Sequence, residues 1–221
     1  MTAIAANIIS LKKQIPASVE VVAVSKTKSE VEILKAYNTG HRIFGENRVQ
    51  ELISKRNNLP DDIEWHFIGH LQTNKVNLVV PVASMIESVD SFKLLKVISS
   101  EALKCNKIID CLLQFHIARE ETKSGFSLAE AEEMLRSDEF RQLQKVKVCG
   151  VMGMATFTDD SSLVRNEFRS LYSHFNRLKT EYFNDQQSFK EISMGMSGDY
   201  RIAVEEGSTI IRIGSNIFGS R

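Results

Sequence analysis

The sequence lacks the features that mark secreted, membrane-spanning and nucleic-acid-binding proteins. Its three cysteines are odd in number and show no CxxC spacing, which argues against a disulfide framework or a zinc site. Lys and Arg together number 28 and Asp and Glu also 28, so no net charge attracts the chain to nucleic acid or an anionic membrane. No apolar run approaches the ~20 residues of a membrane span, and residues 1–14 do not resemble a signal peptide. We therefore expect a cytoplasmic protein. We also expect a monomer.

What the sequence does contain is a regular alternation of helices and strands. Apolar residues recur at helical spacing from Ile4 to Ile15, so the chain opens with an amphipathic helix. Residues 19–24 are mostly apolar and β-branched, typical of a parallel strand buried on both faces, and Ser29 with Glu32 forms a capping box for the next helix. Further strands are predicted over 42–44, 65–68, 84–87, 110–117, 147–152, 189–193 and 209–213, with helices over 48–56, 74–80, 91–104, from 127, 163–182 and 199–206.

These eight strands predict a single α/β domain over residues 1–221. Strict β–α alternation produces a parallel sheet, and eight units allow that sheet to close. About 200 residues are enough for such a barrel, and no proline-rich or low-complexity linker interrupts the pattern. The prediction is a (β/α)8 TIM barrel with an additional N-terminal helix. An open doubly wound sheet also fits the alternation.

The active face of such a barrel lies at the carboxyl ends of its strands, where the βα loops meet. Lys26 follows strand one at this rim, and Asn47 follows strand two. A lysine amine at this position can attack an aldehyde. A lysine whose stem packs on the surface while its charge stays in solvent fits the same position.

Small polar residues follow the last two strands. Ser197 and Gly198 precede one helix, and Gly214 and Ser215 precede another. Backbone N–H groups can converge on an anion there, and barrels often bind phosphate after strands seven and eight, although ordinary turns also favour Ser and Gly. Arg212 lies two residues before Gly214, so it points the same way but deeper into the barrel, where its partner is a carboxylate or a ligand ring nitrogen.

An aldehyde-trapping lysine, a phosphate cradle and a deep arginine match the three chemical handles of pyridoxal 5′-phosphate. Four blocks of the sequence then resemble the YggS/PROSC-type pyridoxal phosphate homeostasis proteins, over essentially the whole chain. They are Ala23–Thr27, Phe44–Asn47 with Val49–Glu51, Trp65–Lys75, and Met194–Tyr200 continuing to Arg212–Gly214 and Ile217–Gly219.

This resemblance implies the barrel of alanine-racemase-type pyridoxal enzymes, with the cofactor held as an imine on Lys26. It further implies that Ser197, Gly214 and Ser215 bind the phosphate, that Arg212 meets the pyridine nitrogen and that Asn47 lies nearby. Racemases of this fold carry a C-terminal β domain and take a tyrosine base from a partner subunit. The sequence ends soon after strand eight, so we expect no such domain. The resemblance implies a protein that buffers pyridoxal phosphate and delivers it to apoenzymes without turnover.

Two other functions stay open at this stage. One is a single-domain pyridoxal phosphate-dependent racemase or decarboxylase with Lys26 as base, and the other is a cofactor-free Schiff-base aldolase, which leaves Arg212 unexplained. The histidines show no metal-ligand spacing, so no metal site is expected. We expect His66 to serve in packing, between Trp65 and Phe67, and residues 130–133 to form a solvated helix face. Lys123-Ser124-Gly125 is a further family-like patch without a derived role.

Overall fold

The computed structural model of the protein describes residues 2–119 and 124–219. The strands are β1 Glu20–Val24, β2 Ile43–Glu46, β3 Glu64–Phe67, β4 Met85–Val89, β5 Ile109–Phe115, β6 Val146–Gly153, β7 Glu191–Met196 and β8 Ile210–Ile213. The α-helices are α1 Ala3–Gln14, α2 Glu30–Tyr37, α3 Val49–Asn58, α4 Val76–Val79, α5 Phe92–Lys104, α6 Leu128–Arg136, α7 Asp138–Arg141, α8 Ser161–Tyr182, α9 Tyr200–Glu205 and α10 Ser215–Phe218, with a 3-10 turn at Thr73–Lys75.

The strands form one closed barrel in chain order. Each strand pairs in parallel with the next, and β1 pairs with β8 to complete the circle. This confirms the predicted (β/α)8 barrel with its N-terminal helix and excludes the open doubly wound sheet. The predicted capping box of Ser29 with Glu32 is present at the start of α2, and Ser127 with Glu130 forms a second one at the start of α6.

Strand β7 differs most from its prediction, because it begins at Glu191 and runs on to Met196. Phe189, the predicted start, instead stacks its ring on Phe183 with centroids 4.1 Å apart. Gly195 extends the strand with a positive φ of 95°, a conformation that glycine adopts without steric cost. The strand therefore delivers its end closer to Ser197 than the sequence indicated.

The apolar core is divided by the sheet into a large outer part and a small inner part. The outer part lies between the strands and the helices and includes Trp65, Phe67 and Phe168. The inner part fills the barrel and consists of Val22, Met85, Leu112, Cys149, Met152 and Ile210. Because side chains alternate along each strand, residues two positions beyond these inner members point toward the carboxyl mouth.

One surface prediction was wrong. Glu132 of the supposedly solvated stretch is only 8% exposed, since Arg136 and Arg177 both contact its carboxylate. Across residues 2–119 and 124–219, no helix is both long and apolar enough to cross a bilayer, and no group of three or more His, Cys, Asp or Glu could hold a metal ion.

Candidate cofactor site

Lys26 lies at the carboxyl mouth of the barrel, just past β1. Val22 belongs to the inner core, so alternation places Val24 and Lys26 on the same inward face. The pairing continues past the strand, because the Ser25 N–H donates to the Gly45 carbonyl at 3.0 Å. The Lys26 side chain is half-buried, and within the described residues its amine has no hydrogen bond or ion pair. It is therefore an amine directed at the mouth without a protein partner in that part of the chain.

The residue after Lys26 has a strained backbone. Thr27 has a φ of +64°, which is unfavourable for a β-branched side chain. Its N–H donates to Glu51 Oε2 at 2.7 Å, so a side chain of α3 holds the turn in place. Strained conformations persist where surrounding contacts determine them, and they cluster at functional sites. The turn that follows Lys26 is thus fixed from outside the barrel.

Behind this turn lies a buried charge network, here called the outer network: Ser25, Glu46, Glu51 and Lys55. The Lys55 amine donates to the Ser25 carbonyl at 2.8 Å, to Glu46 Oε1 at 2.7 Å and to Glu51 Oε2 at 3.0 Å. The Ser25 hydroxyl donates to the same Glu46 oxygen at 2.6 Å. Burial raises the pKa of Glu46, although Lys55 and Ser25 oppose that shift. The network anchors both sides of Lys26.

Sequence reasoning missed Lys55, although a signal was present. Val49, Leu52 and Lys55 recur every three residues and are all buried, so the lysine belongs to the inward stripe of α3. A charged residue on an apolar helix face is buried only when it is paired. Glu51, four residues before Lys55 on the same helix, is one of those partners.

Asn47 also points to the mouth, one strand away from Lys26. Its Oδ1 is buried and has no hydrogen-bond partner among the described residues. The backbone beside it is tightly packed, since a Cβ at Gly69 would lie 2.3 Å from the Asn47 carbonyl oxygen. Only glycine fits there, so the β3 loop can hold Asn47 in position. A buried amide oxygen without a partner is the kind of group that a ligand satisfies.

The two loops predicted to cradle phosphate are joined to each other. The Gly214 N–H donates to Ser197 Oγ at 3.2 Å, and the Asn216 amide donates to the Ser197 carbonyl at 3.1 Å. A Cβ on Gly198 would meet nothing within 4 Å, and one on Gly214 would come no closer than 3.6 Å to Val24. Exposed Ser215 begins α10, where the first N–H groups have no earlier turn to bind. The loops thus border an open space.

Arg212 lies deeper on the same inward face and is 4% exposed. Its Nη1 donates to Ser193 Oγ at 2.5 Å and its Nη2 to the Gly153 carbonyl at 2.9 Å. Glu87 Oε2 lies 3.7 Å from Nη1. Burial lowers the pKa of Arg212, and the charge of Glu87 opposes that shift. Of the two partners left open by the sequence, the carboxylate is present.

Glu87 joins Arg212 to a second buried network, here called the inner network: His66, Glu87, Ser193 and Arg212. The Ser193 hydroxyl donates to Glu87 Oε2 at 2.5 Å, and His66 Nδ1 lies 2.7 Å from Glu87 Oε1. Burial alone would raise the pKa of Glu87, but His66 and Arg212 outweigh it, so that pKa lies below its ordinary value. The predicted packing role of His66 was wrong, because alternation turns it away from Trp65 and Phe67 into the barrel.

The strand order brings the predicted residues together. Arg212 pairs in register with Val22 of β1 and with Met196 of β7. Lys26, Arg212 and Gly214 therefore face one mouth from two adjacent strands, with Ser197 on the next strand and Asn47 on the other side of β1. An amine, a cradle with open space and a deep guanidinium fit a ligand carrying an aldehyde, a phosphate and a ring acceptor. These are the features of pyridoxal phosphate.

Of the family-like patch at residues 123–125, Lys123 lies outside the described residues. Gln114 Nε2 donates to the Ser124 carbonyl at 2.7 Å. A Cβ on Gly125 would lie 2.6 Å from the backbone nitrogen of His116, so glycine lets this segment pack against the end of β5. Ser124 and Gly125 therefore hold this segment against the end of β5.

Known proteins resemble this chain over nearly its whole length. The family described as alanine racemase, N-terminal domain, matches residues 1–221. A pyridoxal phosphate homeostasis protein of Aquifex aeolicus is 39% identical over 204 residues, covering 91% of this chain and 87% of that protein. PipY of Synechococcus elongatus, solved without PLP, has a TM-score of 0.92 and 36% identity, covering 98% of this chain and 100% of that one. PipY with PLP bound has a TM-score of 0.89 and 35% identity, with the same coverage. The chain therefore belongs to the alanine racemase N-terminal domain family, among the relatives named pyridoxal phosphate homeostasis proteins.

Proposed function

We propose that residues 1–221 form one domain that binds pyridoxal phosphate in the carboxyl mouth of the barrel. The bound cofactor supplies an aldehyde that bonds reversibly to amines. Lys26 provides that amine, while Ser197, Gly214 and Ser215 bind the phosphate. Arg212 faces the ring nitrogen, and Asn47 lies beside the site. The observation that carries this assignment is that Lys26, Arg212 and Gly214 lie at the carboxyl ends of the paired strands β1 and β8, on one inward face. PLP bound to PipY, a close structural neighbour, supports it.

The same site supports a role in cofactor homeostasis: the protein buffers pyridoxal phosphate in the cytoplasm as a monomer and delivers it to apoenzymes. Racemisation by this cofactor needs a positioned acid or base on each reacting face. Lys26 supplies one such group. His70 and half-buried His116 are the nearby candidates for the second group, and His70 is exposed on the surface and pairs with Asp90 at 3.0 Å. A guanidinium also keeps the ring nitrogen unprotonated, which makes a poorer electron sink for transamination.

The attachment is tested by borohydride reduction of the loaded protein, followed by peptide mapping. We expect the cofactor on Lys26. Lys26→Ala should lose the covalent product but retain weak binding through the phosphate. Lys28→Ala is the matched control, since this neighbouring lysine contacts the Phe218 carbonyl and Glu32 and should leave labelling unchanged. Label on another lysine, with Lys26 unmodified, would refute the assignment.

The phosphate cradle is tested by comparing pyridoxal phosphate with pyridoxal. Charge-assisted hydrogen bonds contribute about 1.5–3 kcal/mol each, so Ser197→Ala should weaken retention roughly ten- to a hundredfold. Gly214→Val should weaken it further. The protein leaves room for the added Cβ, so this variant should fold while filling the cradle. Equal affinities for pyridoxal and its phosphate would remove the cradle from the proposal.

The homeostasis role is tested in two arms. Purified protein is assayed for racemisation, decarboxylation and transamination on a panel of amino acids, and separately for cofactor transfer to a pyridoxal-dependent apoenzyme. We expect transfer, with no turnover above the background of free cofactor. Lys26-dependent turnover without transfer would favour the racemase or decarboxylase instead.

A further inference from the structure

Arg212 is held from across the barrel. It lies on β8, whereas Glu87 lies on β4, and in the closed order these two strands face each other across the axis. Their closest charged atoms are 3.7 Å apart. Ser193 of β7 bridges that gap, because its hydroxyl accepts from Arg212 and donates to Glu87, each at 2.5 Å. The inner network therefore connects opposite walls of the barrel interior.

Both carboxylate oxygens of Glu87, at the centre of the inner network, have partners. Ser193 contacts one Glu87 oxygen and His66 the other, and Glu87 has no exposed surface. A buried carboxylate held on both oxygens stays ionised and cannot turn toward solvent. It thus gives Arg212 a fixed counter-charge, which a buried guanidinium needs.

Arg212 keeps donors that this network does not use. A guanidinium carries five N–H groups, and within the described residues Arg212 makes two hydrogen bonds, to Ser193 and to the Gly153 carbonyl. The network binds only the Nη atoms. It can therefore fix the orientation of the planar group while donors remain for a ligand at the mouth.

We infer that Glu87, Ser193 and His66 are positioning residues for Arg212, which hold its guanidinium in the orientation that keeps the ring nitrogen of the bound cofactor unprotonated. This inference rests on the proposed function. His66, Glu87 and Ser193 lie on β3, β4 and β7, on strands other than β1, which leads to Lys26. The three residues would act through one side chain, so their effects should not be additive.

The test measures the ring-nitrogen 15N chemical shift of labelled pyridoxal phosphate bound to the protein, together with its dissociation constant. We expect wild-type protein to give the shift of an unprotonated ring nitrogen. Glu87→Gln should change that shift, because a guanidinium that is no longer held in place donates less well to the ring nitrogen, and it should weaken retention about tenfold, the loss of roughly one hydrogen bond. Glu87→Asp should restore part of both values. Glu132→Gln is the matched control: it alters a buried, arginine-paired carboxylate on α6, outside the barrel, and should leave the 15N shift unchanged.

Ser193→Ala provides a second, milder variant, since it removes only the bridging hydroxyl. Should Glu87→Gln fail to fold, a wild-type 15N shift in Ser193→Ala would overturn the inference. A wild-type shift and affinity in folded Glu87→Gln would overturn it as well, with the proposed function intact. Failure of the wild-type protein to bind the cofactor would instead reject the proposed function itself.

Discussion

The outer network lies between the sheet and α3, whereas the inner network crosses the interior of the barrel. Both bury a cation with carboxylate partners, yet they bind different parts of the chain. The outer network contacts the Ser25 carbonyl and, through Glu51, the Thr27 N–H, so it fixes the main chain on both sides of Lys26. The inner network fixes the side chain of Arg212. Breaking the first should chiefly reduce stability, and breaking the second should chiefly change the cofactor.

The largest expected effect is on the outer network. Lys55→Met removes its cation and leaves Glu46, which has no exposed surface, without a counter-charge. Breaking a buried pair in this way costs about 3–5 kcal/mol, measured as the free energy of unfolding in urea without cofactor. Adding Glu46→Gln should recover part of the loss, because the unpaired buried charge is then gone.

The control for this comparison is an exposed lysine pair. Lys104→Met breaks the contact with Glu101, in which the lysine side chain is 66% exposed. Such a surface pair contributes at most about 1 kcal/mol. If Lys55→Met costs no more than Lys104→Met, the outer network does not stabilise the fold.

Acidification should change the contributions of the two networks to the free energy of unfolding in opposite directions. The pKa of Glu87 lies below its ordinary value of 4.5, so the unfolded chain binds the proton first and stability is lost as pH falls below 4.5. Glu87→Gln should make that loss shallower, by up to about 1.4 kcal/mol per pH unit. The measurement is urea unfolding at a series of pH values.

Glu46 supplies the opposite case. The pKa of Glu46 lies above 4.5, so on acidification the native protein binds this proton before the unfolded chain does. The stability that protonated Glu46 contributes is therefore lost as pH rises from 4.5 through its native pKa. Glu46→Gln should therefore steepen the loss of stability on acidification above pH 4.5. Parallel pH profiles for the two variants would contradict the assigned pKa directions.

A smaller effect is expected at the strained turn. Thr27→Gly relieves the positive φ, which costs about 1–3 kcal/mol, and loses roughly 1 kcal/mol to the added freedom of the unfolded chain. We expect a net gain in stability of about 1 kcal/mol, with weaker cofactor retention because Lys26 is less firmly placed. Asn106→Gly is the control, since asparagine tolerates its φ of 49°. If Thr27→Gly lowers stability more than Asn106→Gly does, the turn at Thr27 is not strained.

Sequence reasoning predicted the barrel and the places of Lys26, Ser197, Arg212 and Gly214, because each follows or occupies a recognisable strand. It did not predict the partners that hold them. The large apolar neighbours of His66 predict a packing role for it, although alternation places those neighbours on the opposite face of the strand. Lys55 sat on an inward helix stripe and was overlooked. Its position in the stripe was visible, but its partners Glu46 and Ser25 were not.

The sequence by itself determined the order of strands and helices, since hydrophobic periodicity and capping residues act over a few neighbouring positions. It also determined which residues stand at the carboxyl ends of the strands. Only closure of the sheet decided that Glu87 meets Arg212, two residues separated by more than half of the chain's length. The physical reason is that the pairing register and barrel curvature set which inward side chains share a layer, and these are properties of all eight strands together.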